Sequence, residues 1–362
     1  VKHGFCALDD GLCGSCIASS MGCSALGVGC SDPYSGSLNG VQSLLGPRSQ
    51  INPVTGIFPY PFTAPPAGGA LGRRVQVPLS ALDPTLNSGA LFFAEGHYIA
   101  ADDAAAGNAN NNASYRRFSV GDLAANGAYT LSMQESTFTQ THAIYAWRDH
   151  GLGIGVPDPS VHIQTLDIED DGRFIIGSKV TDNGNGTWSY EYAIFNQNSD
   201  RAARGWRVAR PDGVTVTAQD QNIVNHHSGE PYSTLPWTMT LASEAILWAT
   251  EAFDVNANAN ALRWSTMFNF RFVADTPPVA GSAVLELFKS GVASDPVVSV
   301  PVPSAPILLC PADLNNDGFV NGADLAIILG AWGACAGCAP DLNGDGVVNG
   351  ADISIVLGGW TG

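Results

Sequence analysis

Val161-His-Ile-Gln-Thr-Leu-Asp-Ile168, Arg173-Phe-Ile-Ile-Gly-Ser-Lys-Val180, Asn183-Gly-Asn-Gly186 and Trp188-Ser-Tyr-Glu-Tyr-Ala-Ile-Phe195 follow one another with almost nothing between them. The first, second and fourth are rich in the β-branched and aromatic residues that suit a pleated surface. Asn183–Gly186 offers the residues that accept the positive φ of a hairpin turn. Asp171-Gly172 makes the earlier turn. Three antiparallel strands are therefore expected across 161–195.

The same texture extends both ways. Upstream, residues 90–99, 129–133 and 141–147 read as strands, and the Asn-rich 107–113 as a loop. Downstream, strands are expected at 213–217, 237–241, 245–249, 262–272 and 282–288. In the longest, Leu262, Trp264 and Thr266 should face one way and Arg263, Ser265 and Met267 the other, with later aromatics on both faces. Short strands with frequent turns argue for a mainly β body, a β-sandwich of immunoglobulin-like or jelly-roll-like kind. The expected organisation is a Cys-rich segment 1–40, a β-rich region 41–155 that is a candidate first β domain, a sandwich domain 156–290, a Pro/Val/Ser linker 291–309 and a small all-α domain 310–362. Residues 31–75, with Phe58-Pro-Tyr-Pro-Phe62, read as an extended covering segment.

The last domain holds a repeat. Asp313-Leu-Asn-Asn-Asp-Gly-Phe-Val-Asn-Gly-Ala-Asp324 returns 28 positions later as Asp341-Leu-Asn-Gly-Asp-Gly-Val-Val-Asn-Gly-Ala-Asp352, and over the repeated 20 residues 14 are identical. Oxygen-bearing residues at positions 1, 3, 5, 9 and 12, with glycine at 6, describe a calcium loop. The expected ligands are Asp313, Asn315, Asp317, Phe319 through its carbonyl, Asn321 and Asp324. Asp341, Asn343, Asp345, Val347 through its carbonyl, Asn349 and Asp352 repeat them. All are hard oxygens, which favours two Ca²⁺, one per loop, over Mg²⁺. Position 12 is Asp where a typical EF-hand has Glu. Leu325, Ile328, Leu329 and Trp332, and Ile353, Val356, Leu357 and Trp360, recur at helical spacing, so one helix should follow each loop. Residues 310–362 contain six Asp and no Lys, Arg or Glu, so two Ca²⁺ would change the formal charge from −6 to −2. Metal binding would then supply folding free energy to a unit too small for a large core.

This loop-plus-one-helix duplication resembles the dockerin module, and its cysteines make it similar to the cysteine-bearing dockerin-like tails of secreted planctomycete proteins. Phrases such as Glu95-Gly-His-Tyr98 and His227-Ser-Gly-Glu-Pro231 resemble those of the β-rich proteins that carry such tails. The resemblance implies pseudo-twofold packing of the repeats, a secreted or cell-surface location, and a protein partner: a cohesin-like receptor or a neighbouring copy.

Composition sets further bounds. The chain has 362 residues, 16 basic against 33 acidic, a net charge of −17 and only 14% charged residues. So acidic a surface is a poor partner for nucleic acid. No run of eighteen apolar residues is present, so no transmembrane segment is expected. No signal peptide is visible at Val1, and a mature secreted chain is expected. Cysteines stand at 6, 13, 16, 23 and 30 and again at 310, 335 and 338. End clustering in a secreted chain favours disulfides over zinc or redox use of the two C-x-x-C pairs. Both groups are odd in number, so complete pairing would need a bridge between the two ends or between chains. The alternative is a free thiol in each.

Catalytic motifs are scarce. His226, His227 and Glu230 form the most site-like cluster, though a polar turn before a strand is the favoured reading over metal or acid–base use. Asp167, Glu169, Asp170 and Asp171 make an acidic corner, Asp102-Asp103 a helix start or cation site, and His97 a half-buried strand histidine. No Gly-x-Ser-x-Gly, phosphate loop, His-Glu-x-x-His or haem motif is present. A glycosidase carboxylate pair distant in sequence stays open. The expected function is a non-catalytic secreted assembly protein whose calcium-loaded tail docks on a partner or copy. The alternative is a carbohydrate-binding or carbohydrate-degrading protein anchored by the tail, with Trp188, Tyr190, Tyr192, Trp237, Trp248 and Trp264 as sugar platforms or core. A redox enzyme built on the C-x-x-C pairs is the weakest reading.

Overall fold

The computed structural model describes residues 15–18, 20, 27–30, 47–59, 77–125, 127–226, 230–306 and 310–361. The chain forms two compact units, Val1–Arg210 with Thr215–Pro303, and Pro211–Val214 with Ser304–Gly362. It is mainly β, with antiparallel pairing throughout the described sheets.

After a 3-10 turn at Arg48–Gln50, the first unit continues with short helix α1 (Leu79–Leu82), strand β1 (Phe92–His97), helix α2 (Ala101–Ala105) and strands β2 (Ala113–Leu123), β3 (Tyr129–Met133) and β4 (Phe138–Thr139). β1 pairs with β2, and β2 with both β3 and β4. Residues 141–147 are not a strand. They form a 3-10 turn, Ala143–Tyr145, and helix α3, Ala146–Asp149. The reason is local. Glu95 on β1 accepts Ala143 N–H at 2.7 Å and meets His142 Nδ1 at 3.0 Å, which gathers the backbone into a turn where alternation alone suggested extension.

Ten strands follow: β5 (His162–Asp167), β6 (Arg173–Asp182), β7 (Trp188–Asn196), β8 (Ala203–Ala209), β9 (Val216–Asn222), β10 (Thr238–Leu241), β11 (Ala245–Ala249), β12 (Thr266–Ala274), β13 (Pro278–Leu287) and β14 (Val297–Pro303). They form two sheets, β5-β6-β7-β12-β9 and β10-β11-β8-β13-β14. The decisive hairpin is present, with β6 and β7 in register from Phe174↔Asn196 to Asp182↔Trp188, and Gly184 and Gly186 at φ 70° and 78°. The sheets meet through aromatics. Tyr192 lies against Trp206 at 5.7 Å and Trp248 against Phe270 at 5.3 Å between ring centres. Two tyrosine hydroxyls stay satisfied inside: Tyr190 donates to the Thr276 carbonyl (2.9 Å) and Tyr192 to the Pro301 carbonyl (2.6 Å). Burial raises both phenols above their ordinary value. Each fully buried large side chain here contributes roughly 1.5–3 kcal/mol.

Several boundaries differ from expectation. The strand expected at 262–272 begins at Thr266, because Ser265 takes φ 53° and breaks the extended run. Its later aromatics share one face: Phe268, Phe270 and Phe272 are all buried, as period 2 requires of even-numbered neighbours. The linker expected at 291–309 contains edge strand β14, whose Val298, Val300 and Val302 face the core. The region 41–155 contributes β1–β4 to the same compact unit as the sandwich.

One part of the sandwich's outer face is itself covered. Ile175, Ala193 and Phe195 pack against Ile144, Tyr145 and Trp147 of the turn and α3. Gly177 makes this possible, since a Cβ there would sit 2.9 Å from the Trp147 ring.

The second unit carries helices α4 (Gly322–Gly330) and α5 (Gly350–Gly358) and a two-residue strand pair, β15 (Gly333–Ala334) with β16 (Val347–Val348). The expected helix after each loop is present, but the small strand pair means the unit is not purely helical. Its core is Ala312, Val320, Ile328, Val348 and Val356. Of each apolar stripe read from the sequence, only Ile328 and Val356 are fully buried; Leu329, Trp332, Leu357 and Trp360 are exposed.

Candidate functional site

The two repeated loops fold alike, atom by atom. In the first, Asp313 accepts from Asp317 N–H (3.2 Å) and Gly318 N–H (2.9 Å). In the second, Asp341 accepts from Asp345 N–H (3.1 Å) and Gly346 N–H (2.8 Å). Asn315 and Asp317, and Asn343 and Asp345, each accept the N–H two residues on, at 2.9–3.0 Å. Such Asx turns curl the chain around its own side-chain oxygens. Gly318 and Gly346 take φ 89° and 87°, which a residue with a Cβ adopts only under strain.

The closing aspartates have a second task. Asp324 accepts from Leu314 N–H (2.8 Å), Asn315 N–H (3.2 Å) and Asn321 N–H (2.9 Å). Asp352 does the same with Leu342 (2.9 Å), Asn343 (3.2 Å) and Asn349 (2.9 Å). Asn321 and Asn349 are the N-caps of α4 and α5, and each forms a reciprocal capping box with the aspartate three residues on. The sequence reading assigned these four residues to metal alone. Asn-x-x-Asp at a helix start is capping-box spacing and signals this role. Burial pushes the Asp324 carboxyl up, but the surrounding N–H groups outweigh it and hold the group below its ordinary value. The Asn349 N–H leads the groups that hold Asp352 below its own, against burial.

The loops are tied crosswise. The second loop joins the chain that follows α4: Cys335 N–H donates to the Gly346 carbonyl at 2.9 Å. The first joins the chain that follows α5: Thr361 N–H donates to the Val320 carbonyl (3.0 Å) and Thr361 Oγ1 accepts Val320 N–H (2.8 Å).

Electrostatically the loops are under-compensated. Asp324 and Asp352 are wholly buried and Asp313 is 5% exposed, yet residues 310–361 contain no Lys or Arg. Buried charge is ordinarily paired or metal-bound. Here only N–H dipoles answer it, and Asn315 Nδ2 lies 2.9 Å from Asp317 Oδ2, with Asn343 and Asp345 matching at 3.0 Å. Among the described residues, no three His, Cys, Asp or Glu side chains already converge as a metal cluster. Any ion site would therefore need the amides and the carbonyls of Phe319 and Val347 beside the carboxylates. The donor chemistry fits a hard divalent cation.

The cysteines resolve in part. Cys16–Cys30 and Cys335–Cys338 are disulfides and Cys310 is a free thiol. The bridge expected between the chain's ends does not form through the tail. Cys335 and Cys338 stand 5.7 Å apart at Cα on one turn and satisfy each other, leaving Cys310 over. Cys6, Cys13 and Cys23 lie outside the described residues.

Among the described residues the other candidates do not assemble into a catalytic centre. His226 meets Asn260 Oδ1 at 3.1 Å, and Glu230 accepts Ser49 N–H at 3.1 Å; His227 lies outside the described residues. Asp167 pairs with Arg173 (2.6 Å), and Asp171 accepts from Ser199 Oγ and Asp200 N–H, so the acidic corner staples its own loop. Asp102 and Asp103 occupy the first turn of α2. His97 is partly buried, both ring nitrogens lack a hydrogen-bond partner among the described residues, and burial, then His142, lowers it to about 4. Tyr190, Tyr192, Trp237 and Trp248 are core, not sugar platforms.

Comparison with known proteins is negative: no family model matches the chain, and no curated protein is significantly similar to it. Among the described residues no helix is long and apolar enough to cross a membrane.

Proposed function

We propose that residues 310–361 are a dockerin-like calcium module that attaches the β body of a secreted, non-catalytic assembly protein to a protein partner or a neighbouring copy. The observation that carries this is the set of buried carboxylates in two matching loops within a unit that has no cationic side chain. Asp313, Asn315, Asp317, the Phe319 carbonyl, Asn321 and Asp324 would hold one Ca²⁺. Asp341, Asn343, Asp345, the Val347 carbonyl, Asn349 and Asp352 would hold the other. The ion supplies the missing positive charge. The chain's own part is to curl each loop by Asx turns and hold the closing carboxylate by N–H groups.

Docking is supported by what the module leaves outside. Phe319, Leu329 and Trp332 are 60%, 53% and 56% exposed, and their counterparts Val347, Leu357 and Trp360 are 42%, 55% and 44% exposed. So many large apolar groups on so small a unit mark an interaction surface. The test is sedimentation and negative-stain microscopy of the full chain in calcium and in chelator, with calorimetric calcium titration. Two ions bound per chain and calcium-dependent assembly or partner capture are expected. No calcium binding, or a folded tail indifferent to chelator, refutes the reading.

A further inference from the structure

We propose that a cleft on the outer face of the β5-β6-β7-β12-β9 sheet binds a neutral oligosaccharide. The cleft has a volume of about 850 Å³, within the ~300–1,000 Å³ usual for small-molecule sites. Its floor is set by register. Lys179 stands beside Glu191, Glu191 beside Arg271, and Arg271 beside Asp220; the next row places Ala193 beside Asn269 and Asn269 beside Asn222.

What matters is which of these groups are already engaged. Lys179 is taken by Asp158 at 2.8 Å and Arg271 by Asp220 at 3.3 Å. Glu191, Asn269 and Asn222 line the cleft, and their side chains make no hydrogen bond or ion pair among the described residues. One carboxylate and two carboxamides therefore present unused acceptors and donors side by side. The walls are largely apolar, with His150 among them: the Trp147 ring packs closely against Gly177, and Leu152 and Ile154 are 63% and 53% exposed at the rim. Hydroxyl groups around a ring with a C–H face need this combination of polar floor and apolar wall. The charges of the first row alternate and cancel, so the floor gives a phosphate or uronate no net attraction.

Among the described residues that line the cleft Glu191 is the one carboxylate; Asp220, further along the same row, is outside that lining and paired with Arg271. Hydrolysis of a glycoside requires a pair flanking the bond, so the cleft binds and does not cleave. The role is independent of the tail.

The test is calorimetry of the full chain with cellohexaose, xylohexaose, mannohexaose and chitohexaose, and with polygalacturonate as the acidic control, in calcium and in chelator. At least one neutral hexaose is expected to bind with a dissociation constant below about 1 mM. Glu191→Ala and Asn269→Ala should each weaken that binding roughly tenfold or more, without lowering the melting temperature. Binding should persist in chelator, which separates this site from tail docking. Binding of polygalacturonate alone, of no hexaose, or of a hexaose indifferent to both substitutions overturns the proposal.

Discussion

Replacing Asp324 by Ala should unfasten the tail while sparing the sandwich. Its carboxylate accepts three backbone N–H groups, from Leu314, Asn315 and Asn321, at 2.8, 3.2 and 2.9 Å. Hydrogen bonds to a charged acceptor contribute about 1.5–3 kcal/mol each, and the longest of the three falls at the weak end. Allowing for water entering the gap, the loss is about 4 kcal/mol. A folded unit carries roughly 0.1 kcal/mol per residue, so a tail of this size holds about 5 kcal/mol and would be left marginal. Asp324→Asn keeps one acceptor oxygen and should lose roughly half as much. The assay is native-state hydrogen exchange by mass spectrometry at saturating calcium, reading tail and sandwich peptides separately. Loss of an ion would only add to the effect, so the hydrogen-bond figure is a floor. Tail protection in Asp324→Ala within about 1 kcal/mol of wild type would refute the reasoning.

Gly177→Ala should lift Trp147 off the sheet, costing about 1–3 kcal/mol in thermal melts and weakening hexaose binding. His97 has a folded-state value of about 4 against an ordinary 6.5, so its contribution is complete above pH 6.5 and is lost as pH falls towards 4. With its partial exposure discounted, that loss is about 2 kcal/mol, and His97→Gln should flatten this part of the melting profile relative to wild type. Non-reducing peptide mapping should find Cys335 joined to Cys338 and Cys310 alkylated without reductant; a peptide joining Cys310 to another cysteine would contradict this. Tyr192→Phe should cost about 1 kcal/mol by orphaning the Pro301 carbonyl, measured by urea unfolding.

The sandwich was legible wherever alternation and turn chemistry agreed. Residues 173–196 carry both, and β6, the turn and β7 fall where expected. Residues 141–147 misled because Glu95, nearly fifty positions upstream, decides their shape by capturing His142 and Ala143. β8 and β14 escaped notice since one begins Ala-Arg-Gly-Trp and the other contains two prolines; both are strands because their neighbours supply pairing. In the tail the loop positions were plain from spacing, while the capping boxes lay in the same letters unread. The cleft was invisible in sequence. Glu191, Asn269 and Asn222 come together only through strand register.

The crosswise ties in the tail give Thr361 a reach that its separation in sequence conceals. Its N–H and hydroxyl clamp Val320, some forty residues earlier, at the waist of the first loop. A peptidase that nipped the chain after Trp360 would leave every loop ligand intact and still slacken the amino-terminal half of the module. Thr361 thus acts as a latch on the first loop, one that can be loosened without touching a single aspartate.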